Sequence, residues 1–396
     1  MITALSMPVL IGSVGMAADT IQWTYMKRAM QRQADSGALA GAFAVSQQRP
    51  VNATVTADLA RNNNVAMTVT PVIENAPTAG LFAGNMRAVR VLLSTEVRLP
   101  FSGYMMGRAI TIPVEATAQI VSVGQYCVLA LETTDTPGIT MGGNTTLDLK
   151  CGMMSNAPSA TSVTAGGSSS VNASPIAAVG GVPTSSNYAI GTQLVPYSVP
   201  QFDPLASLPD PGITNSSNNG NVNSNQSKTL SPGNYSGMNL KGNVTLLPGV
   251  YYVDGGQFSA GAQAVINGTG VTIILTSKTA ATNPSSIATS DMNGGATINL
   301  TAPTSGTYAG VLFYQDRRAL DSGVNKINGN SASKYQGAIY FPKQAMQFNG
   351  TSGMDIKCIQ LIGRRLDFTG NSTITNVCPA NSGTGSFSGT RVKLVA

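Results

Sequence analysis

The sequence contains no histidine, and only 10% of its 396 residues are charged. The missing histidine excludes Ser-His-Asp and Cys-His catalysis and most transition-metal sites. An average soluble protein has about 25% charged residues, so the surface of this chain must be covered mainly by neutral polar groups. Such a composition favours strands and turns over salt-bridged helices. We predict a mainly β protein without a metal ion or cofactor.

Clusters of basic residues interleaved with aromatic residues are also missing. The net charge is +6, but the 23 Lys and Arg residues are scattered along the chain. A nucleic-acid-binding surface needs positive charge concentrated on one face. We therefore predict no nucleic-acid partner.

Cysteine is rare, and its positions form two close pairs separated by a long gap. The four residues are Cys127, Cys151, Cys358 and Cys378. None has the CxxC spacing of a zinc site. An even number at local spacing predicts disulfides, Cys127 with Cys151 and Cys358 with Cys378, in an oxidising compartment. Cross-pairing and free buried thiols are the alternatives.

The N-terminal segment has a long apolar run. Its first 18 residues are uncharged and approach the length of about 17 to 25 residues that spans a membrane. A cleaved signal peptide would need a basic stretch before the apolar run, and none is seen. A helical period continues without a breaker until Pro50. We predict one helix over residues 1–48, embedded in a membrane in its first half and amphipathic in its second; a buried core helix is the alternative.

The segment that begins at Pro8, PVLIGSVGMAADTIQWTYMKRAMQRQADSGALAGA, resembles the N-terminus of TadE/TadG-like proteins of the Flp, or tight-adherence, pilus system. The shared features are an apolar run, Asp19, an aromatic residue at Trp23 or Tyr25, and then Gln33 and Asp35 before an Ala-rich tail. We expect Asp19 to mark the exit from the membrane; a cap or ion pair within a helical bundle is the alternative.

This resemblance implies a location and partners. It implies a protein of the bacterial cell envelope whose N-terminal helix lies in the inner membrane or the pilus, with its body in the periplasm or at the cell surface. The implied partners are other pilus components, and the Ala-rich half of the helix also permits a homo-oligomer.

Residues 64 to 124 alternate apolar and polar residues or are rich in β-branched residues. The predicted strands are AMTVTPV from 66, MRAVRVLLSTEV from 86 and ITIPVEATAQIVSV from 110. A helix followed by such strands predicts a small pilin-like α+β domain with an antiparallel sheet over residues 49–124.

Short apolar runs then recur at periods of 20 to 24 residues. ITMGGNTTLDL at 139 returns as VTAGGSSSVNA at 163, and MQFNGTSGMDIKC aligns on LDFTGNSTITNVC with Phe348 over Phe368. GVYY at 249, GVTI at 270, GVLF at 310, GAIY at 337 and CIQLI at 358 should form one row of stacked strands. Such periods predict a parallel β-helix, right-handed by the general handedness of parallel crossovers.

Parallel strands stack about 4.8 Å apart, within the Cα separation that a disulfide permits. Each cysteine pair should therefore join two neighbouring coils, one near the start of the β-helix and one near its end. We place the first coils at 125–182 and the main β-helix at 233–396. The Pro/Asn/Ser-rich stretch 183–232 should be an irregular or linking segment, which can lie against the β-helix.

The resemblance extends into this body. DPLASLPDP at 203, GVYYVDGG, TAPTSGTYAGVLFYQDR and GAIYFPKQAMQFNG are similar to recurrent segments of TadG-like proteins. Many of those proteins carry a von Willebrand A domain, whose metal site needs a DxSxS motif. This chain has none, so the resemblance implies no metal-dependent adhesion.

The segment 315–335 is too polar for a stacked strand and should be a loop. Its charges, Asp316, Arg317, Arg318 and Asp321, are the densest in the chain and form a candidate surface site. Together with Asp254 and Asp367, these aspartates are also the candidates for a polysaccharide lyase or hydrolase. No close acidic pair appears in the sequence, and general acid–base catalysis needs two groups held together, so we predict no catalytic residues.

Two function classes remain. The first is a non-enzymatic, membrane-anchored envelope protein that acts in pilus assembly or as a minor pilin-like or adhesive component. The second is a cell-surface β-helical protein that binds or cleaves carbohydrate. An aromatic stripe that includes Tyr252 and Tyr314 can contact sugars, but wall residues of alternating face usually serve packing.

Overall fold

The computed structural model describes residues 2–213, 218–349, 359–371, 373–375 and 386–395. The chain forms two compact units. The first comprises Met1–Val123 with Thr390–Ala396, and the second comprises Gly124–Gly389. The fold is mainly β, with a large sheet of many strands and one long N-terminal helix.

Helices are few among the described residues and occur mainly in the first unit. They are α1 Ile2–Ser46, α2 Val51–Arg61, α3 Pro100–Met106 and a 3-10 helix at Pro284–Ser286. The first ten strands are β1 Val72–Asn75, β2 Ala88–Val97, β3 Ile110–Ala130, β4 Ile139–Met141, β5 Thr146–Asp148, β6 Gly152–Ser155, β7 Val163–Ala165, β8 Ser170–Asn172, β9 Ile176–Ala178 and β10 Leu194–Val195.

The remaining strands follow from residue 227 onward. They are β11 Ser227–Leu230, β12 Gly233–Tyr235, β13 Met238–Leu240, β14 Asn243–Leu246, β15 Gly249–Asp254, β16 Gln257–Ala260, β17 Val265–Thr269, β18 Val271–Thr276, β19 Thr289–Met292, β20 Thr297–Thr301, β21 Val311–Gln315, β22 Val324–Lys326, β23 Lys334–Phe348, β24 Ile359–Phe368, β25 Thr373–Thr375 and β26 Phe387–Leu394.

The first unit confirms the prediction of one unbroken N-terminal helix. The second half of α1 buries a face of small residues, Ala34, Ala38 and Ala42. At Gly41 an added Cβ would lie 2.6 Å from Cγ1 of Val89 on β2, so only glycine permits this close approach. The Ala- and Gly-rich sequence therefore lets α1 lie directly on α2 and β2.

The predicted antiparallel sheet is present in the first unit. Strand β2 pairs antiparallel with both β1 and β3, with Val72 opposite Leu92 and Val91 opposite Ala116. The strand predicted from residue 66 was wrong in its extent, since β1 begins only at Val72. Pro71 has no N–H to donate to a strand pairing, which explains the later start.

The second unit is built from parallel pairings in three ladders. Ladder one runs through β12, β15, β18, β21, β23, β24, β3, β6, β9 and β10. Ladder two runs through β13, β16, β19, β22, β23, β24, β4 and β7. Ladder three runs through β11, β14, β17, β20 and the start of β23. Strands β25, β5 and β8 form a separate parallel sheet.

The predicted repeats fall on these ladders. Ile139 pairs with Val163 at a spacing of 24, and Phe348 pairs with Phe368 at a spacing of 20, with their rings stacked 5.0 Å apart. The five apolar runs lie together on ladder one, as predicted. Their register differs by one residue at the first and the last step, because Gly249 faces Val271 and not Gly270, and Gly337 faces Ile359 and not position 358.

The order of the repeats differs from the expectation. Strand β24 pairs with β3 through Leu361 and Val128, and with β4 through Phe368 and Met141. The repeats of residues 125–182 therefore stack on β24, which belongs to the repeats of residues 233–396. They do not lie at the start of the stack. We name the β24–β3/β4 pairing the seam. The expectation that Cys127 lies near the start of the stack was wrong for this reason.

This order requires the chain to return from one end of ladder one to the other. Residues 196–213, which we name the return segment, follow β10 at one end, and residues 218–240 form the other end. Ten strands at about 4.8 Å spacing span roughly 43 Å, a distance that an extended segment of this length can cover. The described part of the stretch 183–232 contacts ladder one, for example through Leu208 and Arg317, although it also contains β10 and β11.

The segment 315–335 is not entirely a loop. Its residues 324–326 form β22, where Val324 faces Ala345 and Lys326 faces both Gln347 and Asp291. Asn325 is buried and donates to Oε1 of Gln344 at 3.0 Å. A polar residue thus lies inside the ladder because a buried amide partner satisfies it.

Within the described residues, none of the helices has a stretch long and apolar enough to cross a membrane.

Candidate functional site

Asp19 holds α3 against α1. Its buried carboxylate accepts hydrogen bonds from the N–H of Phe101 at 3.1 Å, and from the N–H and the hydroxyl of Ser102 at 2.5 Å. These N–H groups belong to the first turn of α3, where helices lack internal acceptors. The structure thus shows the capping role that the sequence analysis gave as the alternative, with the cap supplied by a neighbouring helix.

The other candidate residues of α1 have separate surroundings. Gln33 is buried, and its Nε2 donates to the carbonyl of Asn62 at 2.6 Å, which ties α1 to the end of α2. Asp35 accepts a bond from Nε2 of Gln31 at 2.9 Å. Tyr25 is 68% exposed. Pro8 lies within α1, and its side chain is outside the described residues.

The predicted disulfide between Cys127 and Cys151 is present. It joins β3 to the residue before β6, with the two Cα atoms 5.9 Å apart. It therefore links two successive repeats, as the 24-residue spacing predicts. The predicted Cys358–Cys378 pair lies outside the described residues.

The sequence places Asp316 in a candidate surface site. In the structure its side chain is fully buried, so it does not belong to an exposed charged patch. Its carboxylate is 2.6 Å from Nη2 of Arg318 and accepts a bond from the hydroxyl of Thr276 at 2.7 Å. A buried carboxylate needs such partners to offset its lost hydration. Asp316 therefore orients Arg318.

Arg317 and Arg318 bind the return segment through its backbone. Arg317 Nη1 donates to the carbonyl of Leu208 at 2.6 Å, and Nη2 donates to that of Leu205. Arg318 Nη2 donates to the carbonyl of Pro211 at 2.7 Å. The segments DPLASLPDP and VLFYQDR are thus in direct contact.

Two tyrosines of ladder one complete this contact. Tyr340 donates to Oδ2 of Asp203 at 2.5 Å and Tyr314 donates to the carbonyl of Pro209 at 3.1 Å, with their rings stacked 5.3 Å apart. Burial and the nearby Asp203 carboxylate raise the pKa of Tyr340, so it remains a donor at all physiological pH values. These side chains serve packing and attachment of the return segment.

An ion cluster lies at the seam and was not predicted from the sequence. Buried Glu132, just after β3, accepts bonds from Nε of Arg364 at 2.9 Å and from Nη1 of Arg365 at 2.5 Å. The fourth member is Asp321, which lies 2.6 Å from Nη2 of Arg365. Burial alone would raise the pKa of Glu132, but the bonds from Arg364, Arg365 and Thr134 lower it to about 2.

The two remaining aspartates considered for a carbohydrate-cleaving enzyme form hydrogen bonds with separate partners. Asp254 accepts a bond from the N–H of Lys278 at 2.8 Å, and Asp367 accepts one from the hydroxyl of Thr140 at 2.5 Å. The structure therefore does not bring the candidate aspartates together as one acid pair. The candidate aromatic stripe is buried at Tyr251, Phe313, Tyr314, Tyr340 and Phe341, and only Tyr252 is half-buried.

Over the described ranges, His, Cys, Asp and Glu form no group of three that is able to hold a metal ion.

Searches with protein-family models, among curated proteins and among solved structures find no match to this chain.

Proposed function

We propose that this chain is a non-enzymatic envelope protein of the tight-adherence (Flp) pilus system, acting in pilus assembly or as a minor pilin-like or adhesive component. We place its N-terminal helix in the inner membrane or the pilus, and its body in the periplasm or at the cell surface. Its proposed partners are other pilus components and further copies of this chain.

One observation carries this proposal. The first half of α1 exposes large apolar side chains, with Val14 at 69%, Met16 at 64% and Ile21 at 71%. Exposed apolar residues that follow one another along a helix mark a surface that another molecule covers. The second half of the same helix is fixed to a compact α+β unit. This arrangement suits a protein that attaches by its N-terminus and presents a folded body.

We further propose that the three ladders form a parallel β-helix. Parallel pairing between successive repeats, the buried Phe348–Phe368 stack and the disulfide between neighbouring repeats support this architecture. Each repeat buries its apolar residues against the next, so the body is stabilised along its whole length. Such a body suits a role as a rigid spacer outside the cytoplasm.

A carbohydrate-binding role is the second candidate. It is favoured by one polar groove of about 260 Å³, lined among others by Asn239, Ser259 and Asp291. These three residues face one another on successive strands of ladder two, so they form a row of hydroxyl, amide and carboxylate groups. The buried state of the aromatic candidates argues against this role, since sugar sites commonly use exposed rings.

A deletion strain tests the proposed function. Cells that lack this chain should lose their filaments or their surface attachment, and the wild-type chain supplied in trans should restore them. A chain with Asp19→Ala should restore less, because α3 would no longer be capped against α1. A chain with Asp254→Ala, which changes a carboxylate far from α1 in the sequence, is the matched control. Normal filaments and attachment in the deletion strain would reject the proposal.

A further inference from the structure

A polar cavity lies on residues 218–230, which we name the end coil because they form one end of the ladders. Its volume is about 500 Å³. Amide groups, one hydroxyl and one ammonium group line it, from Asn219, Asn221, Asn223, Gln226, Ser227 and Lys228. The three asparagines alternate with two buried residues, so their side chains project from the same face of the chain. The cavity is therefore built from neighbouring residues of one segment.

The backbone fixes the orientation of two of these amides. Oδ1 of Asn219 accepts a hydrogen bond from the N–H of Asn221 at 2.9 Å, and Oε1 of Gln226 accepts one from the N–H of Asn223 at 2.9 Å. A backbone N–H can bond only the oxygen of an amide, so the NH2 groups of Asn219 and Gln226 remain for a ligand. The cavity thus offers more hydrogen-bond donors than acceptors.

The charge of the cavity has one sign. Lys228 supplies an ammonium group, whose Nζ donates to the carbonyl of Asn219 at 3.2 Å and so is held at the wall. Within the described residues, no carboxylate lines the cavity. Hydrogen bonds in which one partner is charged are roughly twice as strong as those between neutral groups. Donor groups around a cation therefore favour a carboxylate or another oxyanion as the ligand.

The cavity continues into the polar groove of ladder two. Val222 of the end coil forms a parallel bridge with Leu240, so the preceding residues, Asn221 and Asn239, are neighbours on the outward face. Asn239 faces Ser259 in turn, and its Oδ1 accepts a bond from the Ser259 hydroxyl at 3.2 Å. Amide and hydroxyl groups thus follow one another at about 4.8 Å per step along the stack. Such a row can bond an extended ligand that carries hydroxyl groups along its length.

We propose that the end coil and the polar groove together bind an acidic oligosaccharide. A sugar carboxylate lies in the cavity beside Lys228, and the sugar hydroxyls follow the row of Asn221, Asn239 and Ser259. Asp291, farther along this row, has its Oδ1 3.6 Å from Nζ of Lys326, which compensates its charge. Charge-assisted hydrogen bonds take the place of ring stacking in this site. The inference rests on the carbohydrate-binding role and does not depend on any role in the pilus.

Titration calorimetry with the purified full chain tests the class of ligand. The two probes are an oligogalacturonate, which carries a carboxylate on each sugar, and its methyl ester, which has the same sugars without the charge. We expect the acid to bind about tenfold more tightly than the ester. Equal affinities would overturn the acidic class and leave the carbohydrate-binding role, whereas binding of neither probe would overturn both. Inorganic phosphate that displaces the acid at an equal concentration would also overturn the proposal, since the sugar hydroxyls would then add nothing.

Variants with matched charge locate the site. Asn221→Asp keeps the shape of the side chain but removes a donor and places a negative charge in the cavity, so it should weaken binding of the acid about tenfold or more. Asn52→Asp makes the same change in net charge at an exposed asparagine of α2, in the other unit, and should have no effect. Asn221 is itself exposed, so its variant should melt at the wild-type temperature.

A second pair of variants removes positive charge. Lys228→Gln should weaken binding of the acid about two- to fivefold, as expected for one exposed ion pair. Lys278→Gln, at an exposed lysine of the same unit that does not line the cavity, should leave the affinity unchanged. Equal losses for a variant and its control would overturn the proposal, because the net charge of +6 would then attract the acid without a defined site.

Discussion

At the scale of single residues, Glu132 shows how a chain with few charges uses them. Its carboxylate is buried between Arg364 and Arg365, which lie on the opposite strand of the seam. Thr133 and Thr134 donate hydrogen bonds to Oε1 of the Glu132 carboxylate. Removing one partner from such a cluster leaves the other charges without compensation, so Glu132 should be needed for stability at neutral pH.

The pKa of Glu132 makes a prediction about pH. A carboxylate with a pKa lowered to about 2 stabilises the fold fully above its unfolded pKa near 4.5, and this contribution is lost as the pH falls from about 4.5 to 2. Glu132→Gln should therefore be less stable than the wild type at pH 7, on the order of 2 kcal/mol, and the difference should shrink toward pH 2. Urea unfolding at several pH values measures it. A difference that stays constant from pH 7 to pH 2 would contradict this assignment.

At the scale of elements, the contact of α1 with β2 depends on small residues. An alanine at Gly41 would place its Cβ 2.6 Å from the Val89 side chain, whereas Gly12 has no neighbouring atom within 4 Å. Both positions lie within the same helix, so they differ only in their surroundings.

Gly41→Ala should destabilise the first unit by about 1 to 3 kcal/mol, since overpacking forces the backbone or a side chain to move. Gly12→Ala should leave stability unchanged or raise it slightly, because alanine favours a helix. Thermal unfolding followed by circular dichroism compares the two variants. Equal melting temperatures for both would contradict the close contact between α1 and β2.

Much of the element pattern was predictable from the sequence. The 24-residue period placed Ile139 beside Val163, and the Phe348–Phe368 alignment gave their stacking, because parallel strands repeat their apolar positions in register. The Glu132 cluster was not predictable, since its members are far apart in the chain and no local spacing links them. Capping by Asp19 was only the alternative expectation, because its partner helix begins 81 residues later and the local sequence does not show which helix it would cap.

At the scale of the whole molecule, the seam is the main departure from the expected order. Sequence neighbours usually pair in space, so a simple reading stacks the repeats in chain order. The return segment makes another order accessible, because it carries the chain back along ladder one from β10 to the strands near Tyr340 and Arg317. Arg317 and Arg318 hold this segment on the ladder by its carbonyl groups. The repeat that begins at β3 and the repeat of β24, far apart in the chain, are thus neighbours at the seam.

A cysteine pair tests the seam directly. Thr140 and Asp367 are direct partners across it, so Thr140→Cys with Asp367→Cys should form a disulfide within one chain under oxidising conditions. Thr140→Cys with Asp254→Cys is the control and should not. Mass spectrometry of the non-reduced tryptic peptides distinguishes them. A stack in chain order predicts no link between positions 140 and 367, so the absence of this link would contradict the seam.

The most direct test of the central claim is fractionation of the cells that make this protein, with and without shearing, followed by immunoblotting. We predict that the protein occurs in the envelope: detergent should release it from the inner membrane, or shearing should release it together with filaments. The first result would identify an assembly component and the second a subunit of the fibre. Recovery in the soluble cytoplasmic fraction, without detergent or shearing, would contradict the proposed function.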